Sequence, residues 1–305
     1  MTTIKILELF GGIGSPRIAL RNLGVPVKSI DYVEIDEAAV RSYNAMFGGG
    51  LYEPQNVIGY DLKPDILIHG SPCQDISIAG KRLGADEGSG TRSSLMWQTL
   101  KIIEQMETWR PRIVIWENVK GVLHKRMAHN YAKYINVMDG LGYTTNNAVL
   151  DARCFGLPQY RERVFTISQL GGQPFDFWRL EQTSMRPISE LLEDADDSYT
   201  IKSPSMLSKL PGTANSSFSG RLKPIDKWAW TITTKQNRNP NSGVVPLGNG
   251  HYRLLTPREC WRLQGYTDAD YEAAAAVNGK TALYKQAGNS IPVPIFESIF
   301  KEMIA

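Results

Sequence analysis

Cys73 stands in Gly70-Ser71-Pro72-Cys73-Gln74, directly after the short apolar run Ile66 to His69. If that run is a strand of a parallel sheet, the thiol lies in the crevice beyond its carboxyl end, where α/β proteins bind ligands. A thiolate is a strong nucleophile, and Lys81, Arg82 and Arg92 follow within twenty residues to favour it. Glu117-Asn118-Val119 follows the run Ile113 to Trp116 in the same way, so nucleophile and acid would share one crevice. Alone, a Glu at a strand end is more often a cap than a catalyst. In Gln159-Tyr160-Arg161-Glu162-Arg163 the alternation sends Gln159, Arg161 and Arg163 to one face, a row suited to an oxygen-rich ligand. Its plainer reading is an edge-strand charge pattern. Cys154 and Cys260 sit among apolar or helical neighbours and are expected in the core. Three scattered cysteines offer no metal-site spacing.

A second cluster lies at the amino terminus. The turn Phe10-Gly11-Gly12-Ile13-Gly14 follows an apolar run and opens a helical pattern, so the glycines allow a sharp turn and close approach to a ligand. A dinucleotide fingerprint needs a glycine three positions after Gly14, where Arg17 stands, which disfavours pyrophosphate and favours a smaller nucleoside ligand. Glu34, twenty residues after Gly14, ends the second strand, where an acid can accept hydrogen bonds from ribose hydroxyls. Together these suggest an adenosyl cofactor; a structural turn and a surface Glu fit them equally well. Asp61 and Asp65 flank the next strand, and either could face an adenine amino group.

The elements that must position these residues read as a doubly wound α/β domain with a mostly parallel sheet. Strands are expected at Ile4 to Phe10, Ile30 to Ile35, Ile66 to His69, Ile113 to Trp116 and Val164 to Ser168. Between them Ser15 looks like a helix cap with Pro16 at the first helical position, Asp36 caps a helix to about Met46, and Leu95 to Trp109 is helical. From about Gly171 the texture turns to Pro, Gly, Ser and Asn with short β-prone pieces. Helical patterns return at Pro257 to Gln264, Asp270 to Val277 and Pro294 to Met303. This predicts a first domain over 1–170, an inserted smaller, irregular β-rich domain over 171–254, and a return to the first over 255–305.

Composition sets the outer limits. The 305 residues are 42% hydrophobic and 21% charged, enough for one large or two ordinary domains, and disordered or fibrous classes are excluded. No apolar run approaches the roughly 20 residues needed to span a bilayer, and Met1 to Leu9 lacks a secretory signal pattern, so a cytoplasmic protein is expected. The net charge of +3 hides an asymmetry: Tyr199 to Leu254 holds eight Lys or Arg against one acid, a balance of +7, leaving −4 on the rest. A locally basic segment of this kind suits phosphate contacts.

Phe-x-Gly-x-Gly, Pro-Cys-Gln, Glu-Asn-Val, Gln-x-Arg-x-Arg and Gly288-Asn289-Ser290 occur in this order, with Thr256 to Tyr266 and Lys285 to Ser290 resembling two closing blocks. The chain thereby resembles the DNA (cytosine-5)-methyltransferases of bacteria and phages, over nearly its whole length outside 171–250. The resemblance implies a Rossmann-like S-adenosylmethionine-dependent methyltransferase fold in which 171–254 is the target-recognition domain. It places S-adenosylmethionine, leaving as S-adenosylhomocysteine, against Phe10, Gly12, Ile13, Gly14, Glu34, Ile35, Asp61, Pro72 and Asn289. Glu34 would take the ribose and Asp61 the adenine, with Asp65 as the alternative. Two departures from the family pattern are Ser15-Pro16, where glycine or another small residue is common, and Tyr60 inserted before Asp61.

In the same way the resemblance makes Cys73 the nucleophile, Glu117 the residue at nitrogen 3 and the amino group of the target base, Arg163 the residue near its oxygen 2, and Arg161 a further member of that site. Gln74, Ser77, Lys81, Arg92, Arg221, Thr231, Lys235, Gln236 and Arg238 are expected at the DNA, whereas Trp228 and Trp230 are expected in the core. No metal is needed. The implied partner is double-stranded DNA, bound by a monomer in a bacterial cytoplasm or phage-infected cell. No membrane or obligate protein partner is implied, and a cognate restriction endonuclease would act without direct contact. The alternatives are a transfer-RNA cytosine-5 methyltransferase and a catalytically inactive DNA-binding homologue.

Overall fold

The computed structural model describes residues 3–58, 63–71, 86–213 and 217–304. Strands β1 (Ile4–Leu9), β2 (Val27–Val33), β3 (Ile66–His69), β4 (Ile113–Val119), β5 (Tyr143–Asp151) and β7 (Glu162–Leu170) build one six-stranded sheet in the order β2-β1-β3-β4-β7-β5. Pairs β1–β2, β1–β3 and β3–β4 are parallel, while β7 runs antiparallel to both β4 and β5. The expected doubly wound sheet is present. The edge strand β5 was not foreseen, because Tyr-Thr-Thr-Asn-Asn lacks the apolar alternation of a half-buried strand. Also, β4 extends past Trp116 to Val119, since β7 supplies partners as far as Arg163. Glu117 and Asn118 therefore sit inside the strand rather than after it.

Helices α1 (Ser15–Asn22), α2 (Glu37–Phe47), α3 (Met96–Gln105) and α4 (Ala128–Gly140) cover the sheet, joined later by α6 (Pro257–Arg262), α7 (Asp268–Ala275), α8 (Lys280–Asn289) and α9 (Val293–Ile304). Strand residues alternate between the layers: Ile6, Ile66, Ile68, Ile113 and Ile115 join Ile18, Phe296 and Phe300 on one face. Leu7, Leu67, Val114 and Trp116 join Leu100, Tyr134 and Met138 on the other. Each such side chain contributes roughly 1.5–3 kcal/mol by leaving water. Asp36 caps α2 as expected, accepting from the Ala38 and Ala39 amides. The cap of α1 is Gly14, at φ 73°, and not Ser15, which is already helical and buried. None of the helices among the described residues is long and apolar enough to cross a membrane.

The remaining elements are the short β6 (Gln159–Tyr160), which pairs in parallel with β8 (Ala229–Trp230), a hairpin of β9 (Val245–Gly248) and β10 (His251–Arg253), and one turn of helix, α5 (Pro204–Leu207). Ile201, Leu210, Leu222 and Val244 form a small core of their own. Contacts with the larger unit continue past residue 171 and recur within 171–254, where Ile225, Ala229, Ile232 and Val245 join the main core. Phe175, Leu180, Ile188 and Leu191 belong to the main core, and Ser298 Oγ donates to the Glu181 carbonyl at 2.8 Å. The chain after β7 thus runs back along α9 before it leaves the larger unit.

Where it leaves and returns, charges are buried. Arg253 and Glu259, 4% and 0% exposed, form two hydrogen bonds of 2.9 and 2.7 Å. Arg253 Nη2 also donates to the Glu193 carbonyl at 2.9 Å, and the Thr256 hydroxyl to Glu193 Oε1 at 2.6 Å. Glu259 closes a capping box with Thr256 at the start of α6. Removing one member strands the other charge without water. Arg253→Met should therefore lower the unfolding free energy by about 3–5 kcal/mol in urea titrations, and Arg253→Met/Glu259→Leu by less.

Candidate active site

The strands β1, β3 and β4 end at one edge of the sheet, and a cavity lies there. It is bounded by the turn after β1, by Ile68 and Gly70 at the end of β3, and by Asn289 to Ile291 after α8. Phe10, Gly12 and Gly14 all have positive φ, at 56°, 55° and 73°. At Gly14 a Cβ would come within 2.6 Å of the Tyr43 ring, so only glycine fits. Glu34 closes the turn: its carboxylate accepts from the amides of Gly12 at 3.0 Å, Ile35 at 2.8 Å and Asp36 at 2.9 Å. Burial raises its pKa, and these three donors oppose the rise. Ile35 is 69% exposed beside it, an apolar surface open to a ligand.

Glu8 was missed by the sequence reading, although an acid inside the apolar run Ile4 to Phe10 is a signal in itself. It lines the cavity and is 1% exposed. Tyr43 donates to its Oε2 at 2.5 Å, while Oε1 is buried with no hydrogen-bond partner. Burial pushes its pKa up to about 7, against the pull of the Tyr43 bond and the Arg17 charge. An unmatched carboxylate oxygen in the wall, a second carboxylate at the rim and a left-handed glycine turn fit a ligand with a cationic group and a hydroxylated sugar. S-adenosylmethionine carries both.

Ser15, which departs from the resembled pattern, has a role here. Its hydroxyl lies 2.6 Å from Tyr266 Oη and 3.2 Å from Ser290 Oγ, and Tyr266 is 2.7 Å from Ser290. This buried hydroxyl trio ties the turn to the cavity's far wall. Asp65 lies at the opposite end of β3 from Gly70, where its carboxylate accepts the Lys5 amide at 2.9 Å, so the alternative adenine position is withdrawn. Asp61 lies outside the described residues.

Glu117, on β4, is buried beside Arg163, on β7, with Nε to Oε1 at 3.1 Å. The two are diagonal neighbours across the antiparallel pair, since Val119 opposes Arg163 and Glu117 opposes Phe165. Desolvation raises the Glu117 pKa; the Arg163 and Arg161 charges partly offset it. A Cβ on Gly70 would stand 3.6 Å from Glu117 Oε2, so the carboxyl borders the exit of β3. The next residues, Pro72, Cys73, Gln74, Ser77 and Lys81, lie outside the described residues. Arg92 opens a short 3-10 turn capped by Thr91.

The expected row of Gln159, Arg161 and Arg163 is not a ligand-facing row. Gln159 is fully buried, donating to the Leu263 carbonyl at 2.8 Å and accepting the Ile232 amide at 3.0 Å. Arg161, 2% exposed, donates to the carbonyls of Ile232 at 3.0 Å, Gly288 at 3.1 Å and Ser290 at 2.6 Å. These three oxygens are the protein's own, and of the row Arg163 is the member in a salt bridge with Glu117.

On the basic segment, Lys235, Arg238 and Arg221 are exposed, the last with its guanidinium 4.4 Å over the Phe218 ring. Thr231 Oγ1 donates to the Tyr160 carbonyl at 2.8 Å and keeps acceptor capacity. Gln236 is fully buried and accepts the Ser242 amide, which removes it from the surface. Trp228 and Trp230 are not core residues: Trp230 is 36% exposed with Lys223 at 4.9 Å over its ring, and half-buried Trp228 carries Arg153 at 5.0 Å. Cys154 is exposed rather than buried, whereas Cys260 is buried with its thiol pKa pushed up by desolvation.

The Glu8 carboxyl predicts a pH effect. Its folded pKa lies above the ordinary value, so its stabilising contribution is full below the unfolded pKa and is lost as pH rises through the folded one. Between about pH 4 and pH 8 wild type should lose about 3 kcal/mol relative to Glu8→Gln, measured as the difference of their urea unfolding free energies.

Comparison with known proteins points the same way as the geometry. The family model described as C-5 cytosine-specific DNA methylase matches residues 4–305. The type II methyltransferase M2.ScrFI of Lactococcus lactis subsp. cremoris is 31% identical, covering 98% of this chain and 99% of that protein. M.NgoBI of Neisseria gonorrhoeae, also a type II methyltransferase, is 33% identical over 97% and 92%. Among solved structures, the S. pombe Dnmt2 methyltransferase superposes with a TM-score of 0.79 at 18% identity, covering 98% of this chain and 97% of that one. With a family model spanning almost every residue and relatives matched nearly end to end, the chain belongs to the C-5 cytosine-specific DNA methylases.

Proposed function

We propose that this chain methylates carbon 5 of cytosine at one short sequence in duplex DNA, acting as a monomer through a covalent bond from Cys73 to a base turned out of the helix. The observation that carries the reading is the desolvated Glu117–Arg163 pair at the exit of β3, next to a cavity built for an adenosyl ligand. S-adenosylmethionine, the methyl donor of this family, supplies an electrophilic methyl group bound to a sulfonium sulfur. The residues that would hold it are Phe10, Gly12, Ile13, Gly14, Glu34, Ile35 and Asn289, with Glu8 in the cavity wall, and Asp61 and Pro72 from the family pattern.

Carbon 5 of cytosine is too weak a nucleophile to take that methyl group unaided. The Cys73 thiolate forms a bond to carbon 6, and the displaced electron pair makes carbon 5 nucleophilic. Glu117, whose pKa burial raises from the ordinary carboxylate value, supplies a proton at nitrogen 3 as charge develops. Arg163 orients Glu117 and meets oxygen 2. After carbon 5 gains the methyl group, it gives up its proton to a base, the carbon–sulfur bond breaks, and the thiolate leaves as the ring regains aromaticity. A stacked base cannot reach a buried carboxyl, so extrusion from the duplex is required. Lys81, Arg92, Arg221, Lys235, Arg238 and Thr231 serve as phosphate contacts, with Gln74 and Ser77 near the extruded nucleotide.

The test is methylated-base mapping of duplex DNA incubated with protein and S-adenosylmethionine, with transfer RNA as the control acceptor. Wild type should place 5-methylcytosine at one sequence, Cys73→Ala at none, and Glu117→Gln should be slower by about 10²–10⁴-fold. Methylation of transfer RNA alone, or a fully active Cys73→Ala, would refute the proposal.

A further inference from the structure

β4 presents alternate residues to opposite sides. Glu117 faces Gly70 and Arg163, whereas Trp116 and Asn118 face Ser71. The backbone pairing of β3 with β4 ends at His69 opposite Trp116, so beyond His69 the chain must be held by other means. Trp116 Nε1 donates to Ser71 Oγ at 3.0 Å. Asn118 Nδ2 approaches the same hydroxyl at 3.3 Å and the Ser71 carbonyl at 3.4 Å. Ser71 is 5% exposed, so little water competes for these bonds.

The indole itself is immobilised. It is 1% exposed, stacks on His69 with centroids 5.7 Å apart and planes 4° from parallel, and packs on Tyr134 at 4.4 Å and Tyr131 at 5.8 Å. A phenyl ring would fill most of that space. What only tryptophan adds is a ring N–H, which in a core needs an acceptor, and the acceptor lies two residues before Cys73.

We infer that Trp116 is a positioning residue for the methyl-transfer reaction: its N–H, with Asn118, fixes Ser71 and so sets the point from which the chain runs on to the nucleophile. The inference rests on the assignment of Cys73 above. A thiolate adding to carbon 6 must approach along a narrow direction, and a displacement of its anchor lowers the chemical step without touching cofactor or phosphate contacts.

Trp116→Phe keeps the stack and deletes the donor; Ser71→Ala deletes the acceptor and is the smaller change should the first variant fold poorly. At saturating S-adenosylmethionine and duplex, each should slow single-turnover methyl transfer by about 10–100-fold. Adduct formation with 5-fluorocytosine DNA should slow in parallel, with Kd for cofactor and for duplex within about twofold of wild type. Since Ser71→Ala already breaks the bond that Trp116→Phe removes, Trp116→Phe/Ser71→Ala should be no slower than the slower single variant. Wild-type rates in both singles, losses confined to either Kd, or multiplicative losses in the double variant would overturn the inference while leaving the assigned reaction standing. Absence of methyl transfer by wild type itself would overturn the reaction and this inference with it.

Discussion

One guanidinium, that of Arg161, holds together parts of the molecule that are far apart in sequence. It reaches the carbonyls of Ile232, Gly288 and Ser290, which belong to the basic segment and to the wall of the cofactor cavity. A buried cation is tolerated only where polar groups meet it, and three carbonyl dipoles accept from Nη1 and Nη2 here. The approach is so close that Gly288 packs backbone to backbone, since a Cβ there would lie 2.4 Å from Thr233 and Thr234 atoms. Gln159 repeats the device two residues earlier, spanning Leu263 and Ile232 with a single amide. Lysine would not serve in place of Arg161, for it lacks the planar fork that addresses several acceptors at once.

Around this strut, the edge of the sheet collects buried and half-buried acids, each in a different environment. Glu34 has three backbone donors and an open side, which suits an acceptor of hydroxyl groups. Glu8 has one phenol and an unmatched oxygen. Glu117 has a guanidinium yet remains desolvated enough to keep its proton longer than a free carboxyl. Three carboxyl groups of one chemical type thus sit in three different environments, which under the proposed function would make them an acceptor, a seat for a cation and an acid.

Much of this was legible in the sequence. The strand exits, the glycine turn and Glu34 follow from apolar runs that end in polar residues, because a parallel sheet delivers all such ends to one edge, whereas the pairing of Glu117 with Arg163 needs the antiparallel β7. What was not legible has physical causes. Strand β5 is polar because it lies at an edge. The alternation of Gln159, Arg161 and Arg163 was sound as periodicity, but periodicity does not say whether the oxygens ahead belong to a ligand or to the backbone. Gln236 looks like a surface amide and is buried because a tight loop needs its carbonyl oxygen for the Ser242 amide. Trp228 and Trp230 look like core and are not, since Arg153 and Lys223 cover their rings in place of apolar neighbours. Ser15 appeared as a deviation, and only the fold reveals Tyr266 and Ser290 waiting for its hydroxyl.

The reversed direction of β7 has a consequence for how proteins of this design diversify. Because β7 starts at the functional edge and ends at the far one, the chain must travel back along α9 before it can build a DNA-facing surface. The outgoing strand of chain at Glu193 and the returning one at Arg253 are then riveted to the same carboxylate of Glu259. Between those two rivets the chain is held to the larger unit again around Ile232, by the pairing of β8 with β6 and by Arg161 and Gln159. Length and sequence can drift in the stretches between these ties, but the ties themselves must be kept, because Arg161 joins the same Ile232 to the wall of the cavity.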